Sequence, residues 1–443
     1  MGTKSGAQLT ARPLFCALDS GGGDLLHSPA MSTAAGSSSP SSRIALGRPS
    51  ITEAELAAAR RVLESRWLVL GAENRAFEEE LAAYCGRRYA VALSSGTAAL
   101  HLALYAMLQA DSRREDAVLV PAFTFPATAN ITRFLPGQPE VVLGDVTADS
   151  FCLDPRLAAH WLSQGRGPCI LVHQFGHPAP WPDPVGKGED GAEVSPRPAA
   201  EQDALLLSDA ACAIGVPGAM RGRAVCLSFH PRKLLTTGEG GAVLSDDLGL
   251  IEEIRTRRAH GLVSRPSSDG NPPLPGEGVD LPQPGLNYRL PEMGAAIGRA
   301  QLARLPQLVA RHRELAERYR DRLSGHGLTF QTDHPTRIYQ TFAVVLPTGH
   351  SRAAVRRHMA EAGIETQVAS YALHQLSAYC DAKVLRLNGS VSTRQDGDLM
   401  IAGELHHRGL ALPLHAELSD SDVDRVSTTL LSALHSARSG AVQ

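Results

Sequence analysis

From residue 88 onward, short continuous apolar runs are separated by stretches of helical spacing. Seven runs, YAVALS, AVLVPAF, EVVLGDV, CILVHQF, ALLLSD, AVCLSF and GAVLSD, lack the polar alternation of a half-exposed strand and read as strands buried on both faces. They predict an α/β fold, a doubly wound large domain whose mainly parallel seven-stranded sheet is covered by helices. In PEMGAAIGRAQLARLPQLVARHRELAERYRDRL the spacing becomes helical, with Ala295, Ile297, Leu302, Leu305, Leu308 and Val309 at apolar positions. This long helix is expected to link the large domain to a smaller α+β one. There TFAVVLP reads as a strand, RAAVRRHMAEAGI as a helix and DSDVDRVSTTLLSAL as a closing helix with an acidic first turn. The division expected is a disordered N-terminal tail over 1–43, a large domain over 44–300 and a small C-terminal domain over 301–443.

Composition adds what the pattern leaves out. The tail ends in AAGSSSPSS, too poor in large apolar residues to fold alone, and Met31 opens MSTAAG within it as an alternative translation start to Met1. Two stretches dense in Pro, Gly and charge, 181–203 and 263–285, read as surface insertions or lids, not as elements. A net charge of −3 with 20% charged residues argues against a nucleic-acid binder, no apolar run approaches the length of a membrane span, and the first residues lack the continuous apolar stretch of a secretory signal. Cysteines 16, 85, 152, 169, 212, 226 and 380 form no C-x-x-C pair and no His/Cys cluster, which fits reduced thiols in the cytoplasm and no metal site.

Candidate chemistry sits where strands of a parallel sheet end, since ligands collect outside their carboxyl ends. YAVALS runs into SSGTAALHLAL, where Ser95, Gly96 and Thr97 open a helix whose free N–H groups and dipole suit a phosphate; by itself the motif reads rather as a Ser/Thr cap on a tight Gly turn. ALLLSD delivers Asp209, a carboxylate able to keep a ring nitrogen protonated, or a plain turn residue. AVCLSF leads to Ser228 and then Lys233 in SFHPRKLLTTGEGG, a loop in which neighbouring charge and burial favour a free amine for carbonyl attack, although most lysines are solvated.

Seven blocks in order, SSGTAALHLAL, VPAFTFPATAN, DVTADSFCLDP, SDAACAIG, SFHPRKLLTTGEGGAVLSDD, GLNYRLPEMGAAIGRAQLARL and LALPLHAELSDSDVDRV, resemble those of the DegT/StrS-type sugar aminotransferases, over nearly all of the chain from about residue 44. The resemblance implies the fold-type I architecture of pyridoxal-phosphate-dependent transferases. It implies that Lys233 carries the cofactor as a Schiff base and then serves as proton-moving base. Asp209 would pair with the pyridinium nitrogen, and Phe125 would stack on the ring, core packing being the plain alternative for it. Gly96, Thr97 and Ser228 would hold the phosphate, joined by Asn287 from a second subunit, so a homodimer with shared active sites is expected. The substrates implied are a glutamate or glutamine donor and a keto group on a nucleotide-linked sugar or an aminocyclitol precursor. Tyr371 and His374 in SYALHQLSAY fall where the small domain of the family faces the sugar.

Cys212 stands where the family usually has Gln or His three residues after the aspartate, and a thiol is a weak donor for the ring hydroxyl. Pro126 and the 181–203 insertion are further departures. His173, Gln174, His177 and His230 are candidates to line the pocket and receive no catalytic role. A sugar dehydratase of the same fold replaces the lysine with histidine, which Lys233 disfavours. An aminobenzoate-forming relative keeps the lysine, and a non-catalytic cofactor-binding regulator would have no need of Lys233, Asp209, Ser228 and Asn287 together.

Overall fold

Strict alternation of side chains across the strands builds the layers of this protein. The computed structural model describes residues 43–109, 117–182, 203–264 and 278–438. The expected tail with Met31, most of the 181–203 insertion and the middle of the 263–285 stretch lie outside the described residues. The predicted runs form β1 (Tyr89–Leu93), β2 (Ala117–Pro121), β3 (Phe123–Thr124), β4 (Glu140–Gly144), β5 (Cys169–Val172), β6 (Leu206–Asp209), β7 (Ala224–Ser228) and β8 (Gly241–Ser245). Next come β9 (Val263–Ser264) and β10 (Val279–Asp280), an antiparallel pair that corrects the reading of 263–285 as free of elements. The chain continues through β11 (Thr329–Phe330), β12 (Phe342–Val345), β13 (Gln367–Val368), β14 (Tyr371–Ala372), β15 (Lys383–Leu385), β16 (Val391–Thr393) and β17 (Gly409–Leu412).

The large sheet has the order β1-β8-β7-β6-β5-β2-β4-β15-β16. It is parallel from β7 to β15, while β8 runs antiparallel to both β1 and β7. The sheet therefore has nine strands where seven were expected. The two additions, β15 and β16, are three-residue segments forming a hairpin on the β4 edge, too short to give a periodic signal of their own.

Val91, Leu93, Val118, Val120, Leu143 and Val243 face one layer, built on the helix Gly96–Gln109 and the helix Leu248–Arg257. Their neighbours Ala90, Ala92, Val225, Leu227, Ala242 and Leu244 face the opposite layer. With every residue of β2 and β8 buried, each strand contributes apolar area to both layers, which is why these runs read as continuous.

The helix Glu292–Leu323 serves two cores. Its Leu302, Leu305 and Leu308 pack against the large sheet, while Leu315, Ala316, Tyr319 and Leu323 join a separate cluster with Phe342, Val344, Leu410 and Leu412. That second cluster covers the sheet β11-β12-β17-β13 and takes in the helices Arg352–Glu361 and Asp420–Arg438. One short antiparallel pairing, Tyr371 with Thr124 and Ala372 with Phe123, ties the later half of the chain to the end of β2 where the cleft opens. Among the described residues no helix is long and apolar enough to cross a membrane.

Candidate active site

Four parallel strands end on one side of the large sheet and deliver polar residues there. β6 ends at Asp209 and β7 at Ser228, β5 is followed by His173, and β3 follows β2 directly. Together they floor a cleft of about 320 Å³ lined by Gly96, Thr97, Phe125, Asp209, Ser228 and Lys233 among others. With Cys212 and Tyr371, which also line it, eight of the predicted site residues thus converge from separate parts of the chain.

Asp209 is buried, and the ladder holds its backbone. Its carboxylate accepts from the Thr128 hydroxyl at 2.8 Å and from the Ala211 N–H at 3.1 Å. Thr128 Oγ1 in turn lies 3.1 Å from Thr124 Oγ1. Burial pushes the carboxyl up from its ordinary range, while the Thr128 and Ala211 donors and the Lys233 charge hold it down. A buried carboxylate with so little compensation suits a cationic ligand.

At the start of the helix Gly96–Gln109, Ser95 Oγ accepts the Ala98 N–H at 3.0 Å. The N–H groups of Gly96 and Thr97 have no carbonyl within the helix to meet, as in any first turn. A Cβ on Gly96 would stand 2.7 Å from Ser228 Cβ, so glycine is what lets the Ser228 hydroxyl approach this turn. A Cβ on Gly241 would meet Ser95 O at 2.4 Å, which accounts for the last glycine of GEGG.

Lys233 lies in the loop after β7, its N–H donating to His230 O at 2.7 Å. Nζ donates to Cys212 Sγ at 3.2 Å. The residue that departs from the family pattern therefore touches the amine itself. The loop is pinned by Gln340, whose amide donates to Arg232 O at 2.6 Å and accepts the Leu234 N–H at 2.8 Å. Arg232 reaches across the cleft mouth to Gln367 Oε1.

His173 is buried; Nδ1 accepts the Ala179 N–H at 2.9 Å, so a neutral ring carries its proton on Nε2, which has no partner among the described residues. Burial and the nearby His177 depress its pKa to about 3, keeping the ring neutral. His230, His173 and Gln174 line the cleft, whereas His177 sits behind it with Nδ1 2.7 Å from Pro178 O.

Phe125 stands at the mouth 60% exposed, its ring 6.3 Å from that of Tyr371 in an edge arrangement, so the packing of a core residue does not describe it. Tyr371 lines the cleft beside it, but His374 does not join them. It is buried away from the lining because the turn that follows β14 carries the chain inward, and its Nδ1 has no partner among the described residues. Asn287 is exposed and outside its own chain's cleft, on a segment bridged to Ala259.

Sequence reading passed over Thr128, Thr124 and Gln340. Thr128 carries a signal, since it lies one turn beyond Phe125 on the segment that ends β2. Gln340 offers only a polar residue just ahead of an apolar strand.

A donor set of one buried carboxylate, one amine, and a hydroxyl beside an open helix start fits pyridoxal phosphate, which presents a ring nitrogen, an aldehyde and a phosphate. Residues 49–431 match the model of the DegT/DnrJ/EryC1/StrS aminotransferase family. The chain is similar to the aminotransferase TlmJ from Streptoalloteichus hindustanus, at 26% identity over 89% of this chain and 99% of that one, with a TM-score of 0.71. It is similar to DesV from S. venezuelae, solved in complex with a ketimine intermediate, at 27% identity over 86% and 94% of the two chains and a TM-score of 0.67. Spr1654 from Streptococcus pneumoniae in its PLP form shares the fold at 23% identity, 89% and 99% coverage and a TM-score of 0.72.

Proposed function

The chain belongs to the DegT/DnrJ/EryC1/StrS aminotransferase family, whose cofactor is pyridoxal phosphate, and from that premise we propose that it moves an amino group from glutamate or glutamine onto a keto group of a nucleotide-linked sugar or an aminocyclitol precursor. The observation that carries this reading is the convergence of Lys233, Asp209, Ser228 and the Gly96–Thr97 turn on one cleft.

Pyridoxal phosphate supplies, when bound, an aldehyde for amines and a pyridinium ring that takes up the electrons released at a neighbouring carbon. Gly96, Thr97 and Ser228 hold its phosphate, Asp209 keeps its ring nitrogen protonated, and Phe125 covers a ring face. Lys233 would hold it through Nζ, and the same Nζ, when free, would be the group placed to take a proton from the donor's α-carbon and, in the second half-reaction, to return one to the sugar carbon that gains nitrogen. Cys212 steadies Nζ rather than the ring hydroxyl, consistent with their 3.2 Å contact. Arg232 is the single cleft-lining cation among the described residues besides Lys233 and supplies the charge for the donor carboxylate. Tyr371 faces the keto substrate from the opposite wall.

A homodimer with shared sites is part of the reading. Ile51, Leu56, Leu63, Trp67, Leu68 and Val69 leave large apolar area exposed near the chain's first helices, as an association surface does, and Asn287 lies outside its own cleft. The separate core around the sheet β11-β12-β17-β13 supports a small domain within 301–443, while β15, β16 and Ala402 of that span belong with the large sheet and its core. The six free thiols among the described residues support a cytoplasmic setting.

The test is the absorbance spectrum of the loaded protein before and after glutamate is added, with Lys233→Ala beside it. Conversion of the band of the lysine-bound cofactor by glutamate, and its absence in the variant, supports transamination. A band that no amine donor changes would sink it in favour of a dehydrating or non-catalytic role.

A further inference from the structure

Two backbone groups flank Lys233, the carbonyl of Arg232 and the N–H of Leu234, and a single side chain binds both. Gln340 Nε2 donates to the first at 2.6 Å and its Oε1 accepts from the second at 2.8 Å. A primary amide presents a donor and an acceptor side by side at every pH; an ionised carboxylate accepts at both atoms and a thioether satisfies neither.

Gln340 is 8% exposed and is itself held in place, its backbone N–H donating to Phe175 O at 3.1 Å. The surrounding backbone is bent to bring this about. Phe175 has φ 60° and Tyr339 φ 47°, left-handed values that side-chain-bearing residues rarely adopt. Between them Gly176 has φ 89°, and a Cβ there would come within 3.0 Å of both Cys212 O and Gln340 N. Three segments, the turn after β5, the loop after β6 and the approach to β12, therefore meet around one amide. Tyr339 is fixed in turn by its hydroxyl donating to Asp333 Oδ1 at 2.7 Å and by the Arg337 guanidinium 4.1 Å from its ring centroid.

We propose that Gln340 is a positioning residue, fixing the backbone on both sides of Lys233 so that Nζ stands against Cys212 and close to Asp209. This rests on the reading of Lys233 as the cofactor lysine. With the clamp in place, Nζ returns to one geometry after each displacement by donor or product, which is what a proton-moving base requires.

The full-length protein is stripped of cofactor, and the rate at which added pyridoxal phosphate couples to it is followed by absorbance. Borohydride reduction and peptide mass then locate the labelled lysine. Wild type is compared with Gln340→Met, which keeps the volume and loses both bonds, and with Gln340→Glu, which keeps only the acceptor. Expected is coupling slowed about tenfold to a hundredfold in the methionine variant, with the glutamate variant between, and a shifted pH midpoint of the bound-form band, both measured well below the melting temperature of each variant and larger than its loss of stability accounts for. If the methionine variant does not fold, the glutamate variant decides. Coupling at the wild-type rate in a folded variant, or slowing only in step with a lowered melting temperature, overturns the proposal. Wild-type labelling at another lysine would instead overturn the Lys233 reading, and this inference with it.

Discussion

The floor and the mouth of the cleft are built on opposite rules. At the floor Asp209, Thr128 and Thr124 are buried and bonded in a chain, with Asp209 at a strand end that a parallel ladder locks in register. At the mouth Phe125 and Arg232 are exposed and Tyr371 rides on a two-residue strand. Groups that must hold one geometry in every turnover sit where the backbone cannot shift, and groups that meet a variable substrate sit where it can. Lys233 stands between the regimes: a loop residue given floor-like rigidity by Gln340 and by the contact with Cys212.

The largest effect is expected at this junction. Lys233→Ala lowers kcat by roughly 10³-fold or more in both half-reactions, measured separately by single turnover, because the proton-moving group is removed. Retained turnover would deny the lysine its role. At the floor, Asp209→Asn is expected to lower kcat by about 10²-fold, the size typical of losing one electrostatic group in a water-poor site. The cofactor-free variant should melt no lower than wild type at neutral pH. The sign follows from the raised carboxyl pKa: the stability it reflects is present at low pH and lost as pH rises through the folded value, so the charged form is the disfavoured one. A clear drop in melting temperature would make Asp209 a structural residue first.

At the mouth, Arg232→Gln should raise KM for glutamate about tenfold and leave the second half-reaction with the keto substrate unchanged, since one exposed charge pair is lost. An equal loss in both half-reactions would turn the residue into a general anion receptor. The smallest effect per group concerns acid. His173 and His312 are buried neutral, with pKa values depressed by burial to about 3 and about 4 from an ordinary 6.5. Their depressed values contribute stability that is whole above pH 6.5 and is lost as pH falls toward 4, at roughly 1.4 kcal/mol per unit and group. Melting curves from pH 8 to pH 5 check this, and a variant His312→Gln should flatten the slope.

Of the floor Asp209 was legible in the sequence and Thr128 and Thr124 were not, and the phosphate-side residues were legible because they travel with local elements. Asp209 closes ALLLSD, Ser228 closes the strand within AVCLSF, and Gly96–Thr97 opens a helix straight after β1, so recognising each strand end already located its residue. Lys233 came with the SFHPRKLLTTGEGG string. The mouth was harder to read: Tyr371 reached the cleft, whereas His374, three residues on, turned into the protein because a short turn after β14 reversed its direction.

By itself the sequence determined the strand runs, the long helix and the family's ordered blocks, all of which depend on hydrophobic period and on contacts between near neighbours. Only the tertiary structure decided that β15 and β16 extend the sheet to nine strands, that Cys212 meets Lys233, and that Gln340 clamps the lysine loop. These are meetings between distant segments, stabilised by shape and by hydrogen bonds that exist only once the chain has closed on itself, and no local propensity records them.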